Sequence, residues 1–278
     1  MLNKKFSLTI NLRDDELEKM QQNHTYWEDN AKLYSSSNEV SWGDANIMKL
    51  ETDVIRELIP DGSLVLDAGC SNGYSTFNVS HVKSINVDAF DYSAQSIEIA
   101  KKEQTIKGTA DNITFSTGNI LNIAQPSDKF DIAYSIRVII NLPNWDRQKD
   151  AILEMHRILK PGGLYLMSEA FSGSLYKLNA LRQMANLKPL TVHKFNEYLN
   201  ENEFEDFVEK YFDIIEIKRF CSSYYVASRF LRYLIMDKDE PDTFKNEVND
   251  FFSKFTETNQ SGDFGIQKLY VLKKKEIS

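Results

Sequence analysis

A short apolar run that ends in an acid and then turns through two glycines constrains the fold more than any other feature of this chain. Residues 63–66 read Ser-Leu-Val-Leu, Asp67 follows, and Gly69 and Gly73 come next, four positions apart. Glycine lacks a Cβ, so a turn built on it can take positive φ and let a ligand approach the backbone. The pattern predicts a strand followed by a turn whose backbone contacts a bound ligand.

A second acid closes the next apolar stretch. Residues 84–90 lead into Asp91, roughly 20 residues beyond the glycine turn. On a neighbouring parallel strand, a carboxylate at this distance meets the hydroxyls of a bound ribose. Asp67 and Asp91 therefore predict a nucleoside site, with ordinary solvation of two strand ends as the alternative.

Strand-like runs alternate with helical patterns from residue 63 to residue 167, which predicts βαβ units and a parallel sheet covered on both faces. Helices are predicted over 44–59, 93–103 and 144–159, the last stopped by residues 160–163. Alternation at 212–220 and 265–273 predicts two more strands, and residues 221–264 lie between them. So long a connection is usually functional, and we interpret it as a helical lid over the substrate side.

These patterns divide the chain into four parts. Residues 1–60 form a helical segment that covers the ligand site, and 61–170 form the binding core. Residues 171–211 form a helical insertion, and 212–278 contain the last two strands with the lid at 221–264.

Composition and charge exclude some classes of binding partner and indicate the cellular compartment. The net charge of −8 and the pI of about 5.2 argue against a nucleic-acid partner, which needs clustered Lys and Arg. Cys70 and Cys221 are the two cysteines, and no CxxC motif occurs, so neither a disulfide framework nor a metal site is predicted. No apolar stretch approaches the ~20 residues of a membrane span, and the N-terminus lacks a signal-peptide pattern. The expected location is the cytoplasm.

Four ordered blocks of the core resemble the class I S-adenosylmethionine-dependent methyltransferase family. The first reads Asp67-Ala-Gly69-Cys-Ser71-Asn-Gly73 where the family has D-x-G-x-G-x-G, so Ser71 replaces the middle glycine. A small hydroxyl residue fits there if its φ is negative. The later blocks are residues 113–120, 129–135 and 157–167. The resemblance implies an α/β fold with a doubly wound, seven-stranded, mostly parallel sheet, the Rossmann-like methyltransferase fold, with an antiparallel pair at the sheet edge and helical cap insertions.

The resemblance also implies S-adenosylmethionine as the cofactor. Asp67 and the glycine turn would surround its methionine end, Asp91 its ribose, and Asn119 with Ile120 its adenine. Tyr92 would stack on the adenine, with a surface position at a helix start as the alternative. Tyr26 and Tyr34 would close the site from above, with packing of an N-terminal helix on the core as the alternative. The full cofactor set is Tyr26, Tyr34, Asp67, Gly69, Cys70, Ser71, Gly73, Asp91, Tyr92, Asn119, Ile120 and Ser135.

Three residues are candidates for the chemistry at the acceptor. Arg137 follows the fourth strand, where its paired donors could bind the cofactor carboxylate or an anionic acceptor, with a surface ion pair as the alternative. His193, in the insertion after the fifth strand, is the best placed histidine for a general base, with a solvent-exposed loop histidine as the alternative. Glu169, at the end of the fifth strand, competes for that role, with a cap or hydrogen-bonding role as its alternative.

A looser resemblance suggests the acceptor. Residues 137–148 are similar to R-x-L-I-N-L-P-x-W-x-x-Q of a bacterial methyltransferase group associated with surface-polysaccharide gene clusters, and residues 173–182, 193–196 and 222–229 extend the similarity. It implies O-methylation of a small polar acceptor, a sugar or sugar-conjugate. N-methylation of an amino sugar or small amine, and a non-catalytic cofactor-binding regulator of another protein, are the alternatives. An enzyme needs an enclosed cavity beyond the sulfonium with Arg137, Glu169 or His193 facing it, whereas a regulator can leave that space filled.

Overall fold

Seven strands form one sheet. The computed structural model describes residues 12–37, 40, 42–81, 84–108, 112–236, 243–254 and 262–276. In chain order the strands are β1 (Leu64–Ala68), β2 (Asn86–Asp91), β3 (Ile113–Thr117), β4 (Phe130–Ile136), β5 (Leu159–Ala170), β6 (Phe212–Lys218) and β7 (Gln267–Lys274). The sheet order is β3-β2-β1-β4-β5-β7-β6, and every pairing is parallel except those of β7 with β5 and β6. The predicted fold class is confirmed.

Helices cover both faces of this sheet. They are α1 (Asp14–Tyr34), α2 (Ala45–Leu58), α3 (Tyr74–Ser80), α4 (Ala94–Lys107), α5 (Trp145–Ile158), α6 (Ser172–Met184), α7 (Glu201–Val208), α8 (Ser222–Val226), α9 (Arg232–Ile235) and α10 (Glu247–Phe252). A 3₁₀ turn, Ile139–Asn141, follows β4, and a π-helix, Ala227–Leu231, joins α8 to α9.

Three helices begin at the caps that the sequence indicates. The side chains of Asp44, Ser93 and Asn144 each accept a hydrogen bond from the backbone N–H three residues ahead, at 3.3, 3.0 and 3.1 Å. These bonds satisfy donors that the first turn of a helix leaves unpaired. The end of α5 differs from the expectation, because β5 starts at Leu159 and includes residues 160–163, which were predicted to be a stop between the two elements.

Both faces of the central strands are buried. Val65 packs in one core with Ile47 of α2, whereas Leu66 faces the other core with Ile152 and Met155 of α5. Successive side chains of a strand point to opposite faces, so an unbroken apolar run suits a strand covered on both sides.

The insertions add helices after β5 and after β6. Residues 171–211 contain α6 and α7, and the connection from β6 to β7 contains α8, the π-helix, α9 and α10. Phe244 and Phe255 belong to a run of phenylalanines at helical spacing, but α10 begins at Glu247, after the cap Asn246, and Phe255 lies outside the described residues. Residues 1–11 of the predicted N-terminal segment also lie outside them. The division of the chain into four parts stays a prediction.

Three expectations concern absences. In the described ranges no helix is long and apolar enough to cross a membrane. Over the same residues no group of His, Cys, Asp and Glu could hold a metal ion. Cys70 and Cys221 are both buried.

Candidate active site

The carboxyl ends of β1, β2 and β4 meet where the strand order reverses. In this register Asp67 of β1 lies between Ala89 of β2 and Tyr134 of β4. Crossovers leave this edge in opposite directions on the two sides of β1, which opens a crevice at the point where α/β sheets bind ligands.

The turn after β1 has positive φ at three alternate residues. The φ angle is 83° at Gly69, 49° at Ser71 and 85° at Gly73. A Cβ on Gly69 would lie 2.3 Å from Val138 Cγ2, so the turn approaches the residues that follow β4 very closely. The negative φ under which a serine would fit most easily is not adopted, because Ser71 has the left-handed conformation that a few non-glycine residues tolerate.

Asp91 ties this turn to the end of β2. The Ser71 N–H donates to Asp91 Oδ2 at 2.9 Å, and the Ser93 N–H donates to Asp91 Oδ1 at 2.8 Å. Burial raises the pKa of the Asp91 carboxyl, while the two backbone donors oppose that rise. Each carboxylate oxygen has more than one lone pair, so Asp91 keeps acceptor capacity for a ligand.

Asp67 lies beneath the turn, where it is 1% exposed. Its Oδ2 accepts hydrogen bonds from the hydroxyls of Ser75 at 3.1 Å, Thr76 at 2.6 Å and Tyr134 at 2.5 Å. Burial raises the pKa of Asp67 to about 6, against the effect of the three hydroxyl donors. The residue therefore joins β1, α3 and β4 from below, and it does not line the cleft at which the prediction placed it.

Two adjoining chambers form the cleft. The first chamber is lined by Asp91, Tyr92 and Asn119 on the sheet side and by Asn23 and Trp27 of α1. The second chamber lies beside it, and both insertions contribute to its wall. Six residues line both chambers and form the junction between them: Trp27, Gly69, Ser71, Ile136, Arg137 and Asn141.

Two residues that line the first chamber have a buried side-chain oxygen without a hydrogen bond within the described ranges. The Asn23 side-chain amide donates to Asn141 O at 2.7 Å, but Asn23 Oδ1 is buried without a hydrogen bond among the described residues, as is Tyr92 Oη. Asn119 Oδ1 accepts from the Leu121 N–H at 2.9 Å, and Ile120 lines the same chamber. Buried polar atoms are nearly always paired, so the unpaired Asn23 and Tyr92 atoms fit a polar ligand in this chamber.

Glu169 holds the segment that follows Arg137. Its Oε1 accepts from the N–H groups of Val138 and Ile139, both at 2.9 Å, and its Oε2 accepts from that of Ile140 at 3.3 Å. Glu169 is fully buried, and burial raises its pKa to about 8 although the three donors oppose the rise. The carboxylate thus caps the 3₁₀ turn and does not line either chamber, which places Glu169 in its alternative role and not in that of the base.

Two predicted residues meet in the second chamber. The ring of His193 lies 5.4 Å from that of Tyr26 and 5.5 Å from that of Phe195. Tyr26 and Cys70 line this chamber and not the first. Burial raises the pKa of the Cys70 thiol. Arg137 lines both chambers, with its side chain 13% exposed.

Three more predicted residues lie outside both chambers. Gly73 is the N-terminal cap of α3. The Ser135 hydroxyl shares a hydrogen bond of 2.7 Å with the Tyr165 hydroxyl inside the sheet. Tyr34 ends α1 and is 36% exposed.

The polar residues of the second chamber that were not predicted as site residues include Tyr198, Tyr225, Arg229 and Gln267. They come from both insertions and from β7, so no local spacing connects them. The one signal was the stretch 222–229, whose looser family similarity ends at Arg229.

Residues 65–163 match the family model described as "Methyltransferase domain", and this region contains the turn, Asp91 and Arg137. The core belongs to the class I S-adenosylmethionine-dependent methyltransferase family. This match confirms the predicted family for residues 65–163, and that family consists of methyltransferases that use S-adenosylmethionine.

Curated relatives of this methyltransferase core match it over part of their length. A "Sterol 24-C-methyltransferase" of Pneumocystis carinii (strain B80) is 32% identical over 111 residues, which are 40% of this chain and 29% of that protein. "O-methyltransferase cnsE" of Penicillium expansum is 26% identical over 148 residues, 53% of this chain and 50% of that protein. The chain therefore spans half or less of these relatives.

Among solved structures, the "[4+2]-Cyclase SpnF" matches with a TM-score of 0.60 and 16% identity, over 94% of this chain and 97% of that one. The likeness covers the insertions as well as the core, and it shows the fold. Because that protein is named as a cyclase, the reaction has to be argued from the site and not from the fold.

Proposed function

We propose that this chain is a methyltransferase that transfers the methyl group of S-adenosylmethionine to an oxygen of a small polar acceptor, a sugar or sugar-conjugate. The observation that carries the proposal is the junction of Gly69, Ser71 and Arg137, which lines both chambers of one cleft. A donor in the first chamber and an acceptor in the second would meet there. Holding two reactants in line is the main task of an enzyme whose donor is already activated.

The first chamber fits the cofactor. Asp91 would accept hydrogen bonds from the ribose hydroxyls through its remaining lone pairs, and Asn119 with Ile120 would contact the adenine. The unpaired Asn23 Oδ1 offers an acceptor to a cofactor N–H group. When bound, S-adenosylmethionine supplies an electrophilic methyl group on a sulfonium.

The second chamber fits a small acceptor. Its volume is about 340 Å³, which lies in the range of small-molecule sites and is too small for a macromolecule. Tyr198, Tyr225 and Gln267 provide polar groups, and Trp42 and Phe244 provide aromatic faces. Hydrogen bonds from such groups and stacking on aromatic rings suit a sugar.

His193 is the proposed general base. It lines the second chamber, where its ring packs against Tyr26 and Phe195. A hydroxyl acceptor must lose its proton as the methyl group is transferred, and histidine exchanges protons near neutral pH. Glu169 accepts three backbone hydrogen bonds and lines neither chamber, which supports His193 as the base.

Two further observations bear on the alternatives. The second chamber is not filled by side chains, and Arg137 and His193 line it, which favours an enzyme over a non-catalytic regulator. The relative named as an O-methyltransferase supports oxygen as the target, and N-methylation of an amino sugar or small amine remains the second candidate.

The surface-polysaccharide context follows from the looser resemblance of residues 137–148. The net charge of −8 is consistent with an enzyme that does not bind nucleic acid, and the cytoplasm is its proposed location.

Labelled cofactor tests the proposal directly. The protein is incubated with deuteromethyl S-adenosylmethionine and a set of sugars, amino sugars and sugar-conjugates, and mass spectrometry searches for a product that gains one deuterated methyl group. Nuclear magnetic resonance of the product then distinguishes an oxygen from a nitrogen target. Cofactor binding without any labelled product would support the regulator, and absence of calorimetric heat with S-adenosylmethionine and S-adenosylhomocysteine would refute the proposal.

A further inference from the structure

Two buried arginines line the second chamber from distant parts of the chain. Arg137 follows β4, and Arg229 lies in the π-helix between α8 and α9. Their side chains are 13% and 8% exposed. Buried guanidinium groups need partners, and the partners of each show what part of it remains available.

Arg137 has one charged neighbour and unused donors. Its Nε lies 3.0 Å from Glu51 Oε2, but neither atom makes a hydrogen bond among the described residues. The guanidinium lies over the Trp42 ring, 4.8 Å from its centroid. In the part of the chain that the structure describes, its two terminal amino groups donate to no other group.

Arg229 is held more firmly. Its Nη2 donates to Asp44 Oδ2 at 2.7 Å and its Nη1 donates to Ser228 Oγ at 2.8 Å. The rings of Phe244 and Tyr225 lie 4.5 and 4.9 Å from the guanidinium carbon. These contacts fix the position of the guanidinium at the chamber wall before any ligand binds.

The positive charges of Arg137 and Arg229 both act on Tyr198 in the second chamber. Tyr198 lines it, and burial raises the pKa of its phenol while the charges of Arg137 and Arg229 oppose that rise. The guanidinium carbons of Arg137 and Arg229 lie 4.8 and 5.9 Å from the centroid of the Trp42 ring, which lines the same chamber, so both groups lie at one part of its wall.

The two carboxylates that neutralise these arginines lie behind them. Glu51 and Asp44 are 1% and 0% exposed, and neither lines the chamber. No Asp or Glu occurs among the described residues of its wall, although the chain as a whole has a net charge of −8. An acidic protein thus presents a wall that carries two arginines and no acid.

We propose that Arg137 and Arg229 together bind an anionic group of the methyl acceptor, a carboxylate or a phosphate. The planar donor fork of arginine matches both groups. The inference rests on the proposed function, since it assigns the anion to the acceptor. Arg229 lines the second chamber and not the first, so the pair as a unit faces the acceptor side of the junction.

Matched sugars test the anion site. Calorimetry with the full chain, saturated with S-adenosylhomocysteine at constant ionic strength, compares glucuronate, glucose 6-phosphate and neutral glucose. We expect at least one of the two anions to bind tenfold or more tightly than glucose, and the preferred anion identifies carboxylate or phosphate as the natural group. Arg229→Met and Arg137→Met should each remove the preference, whereas Arg219→Met should keep it, because Arg219 is an exposed partner of Asp263 outside the chamber.

Two controls keep the result interpretable. Arg229→Met leaves Asp44 buried without its partner, so the double variant Asp44→Asn with Arg229→Gln removes both charges and should lose the same preference. Equal binding of glucose and both anions, including no binding of any, would overturn the inference, as would an anion preference that survives in the double variant. A third outcome would also overturn the inference. In it, Arg137→Met weakens the binding of S-adenosylhomocysteine, while Arg229→Met leaves the binding of glucuronate and glucose 6-phosphate unchanged. Arg137 would then bind the cofactor and not the acceptor. Failure of the proposed function can be distinguished from failure of the anion site, because in that case the wild-type protein would not bind S-adenosylhomocysteine.

Discussion

Asp91 Oδ2 accepts a hydrogen bond of 2.9 Å from the backbone N–H of Ser71, so the end of β2 holds the turn that follows β1. A single carboxylate thereby stabilises a left-handed serine and faces the first chamber at the same time. The positions of the turn and of the ribose acid are therefore coupled, and changes at Asp91 should affect both.

Asp91→Asn should weaken the binding of S-adenosylmethionine by tenfold or more, about 1.4 kcal/mol. The amide has one acceptor oxygen, so its NH₂ group would face either the Ser71 or the Ser93 N–H, and an acceptor for ribose is lost. Calorimetric titration measures the change. Asp88→Asn is the matched control, because Asp88 lies on the same strand but pairs with Lys129 away from the cleft. Equal affinities of the Asp91 variant and wild type would contradict the assignment.

Removal of the Asp67 carboxyl should change how stability depends on pH. The pKa of Asp67 in the folded protein is raised from 3.8 to about 6, so the folded state binds this proton more tightly than the unfolded state. The contribution is fully present below the unfolded pKa and is lost as the pH rises through about 6. Relative to Asp67→Asn, wild type should lose up to about 3 kcal/mol of unfolding free energy between acid and neutral pH.

Urea unfolding of both proteins across this pH range measures the effect. Other titrating groups are common to the two proteins, so the difference between them isolates residue 67. A difference that stays constant with pH would show that the carboxyl titrates normally in the folded protein.

Glu169→Ala should lower the free energy of unfolding by about 1–3 kcal/mol, because it leaves three buried backbone N–H groups without an acceptor. Glu169→Gln retains one acceptor oxygen and should recover part of the loss. Glu216→Ala, at an exposed position of β6, should change stability little. A fully stable Glu169→Ala protein without methyltransferase activity would indicate that Glu169 acts in the chemistry instead.

His193→Ala should lower kcat about 10²–10⁴-fold for a hydroxyl acceptor, the range that a general base contributes. Binding of S-adenosylmethionine should stay the same, because His193 does not line the first chamber. His81→Ala is the control, since His81 lies outside both chambers. An unchanged kcat would exclude His193 as the base and favour transfer that needs none.

The glycine turn, the ribose acid and the helix caps could be predicted because each depends on local sequence. Gly69 and Asp91 follow apolar runs, and Ser93 and Asn144 precede helical patterns. Glu169 shows where such reasoning ends: its position at the end of a strand was predicted correctly, but the direction of its side chain was not. That direction depends on the donors offered by residues 138–140, on a different segment of the chain.

By itself, the sequence determined the order of strands and helices, the family of the core and the edge of the sheet at which a ligand binds. Those properties depend on periodicity and on short motifs, which neighbouring residues specify. Only the tertiary structure showed that Asp67 supports the turn from beneath and that Arg137 and Arg229 line one chamber. These relationships join residues far apart in the chain, and they follow from which side of the sheet each element covers and which side chains the packing turns inward.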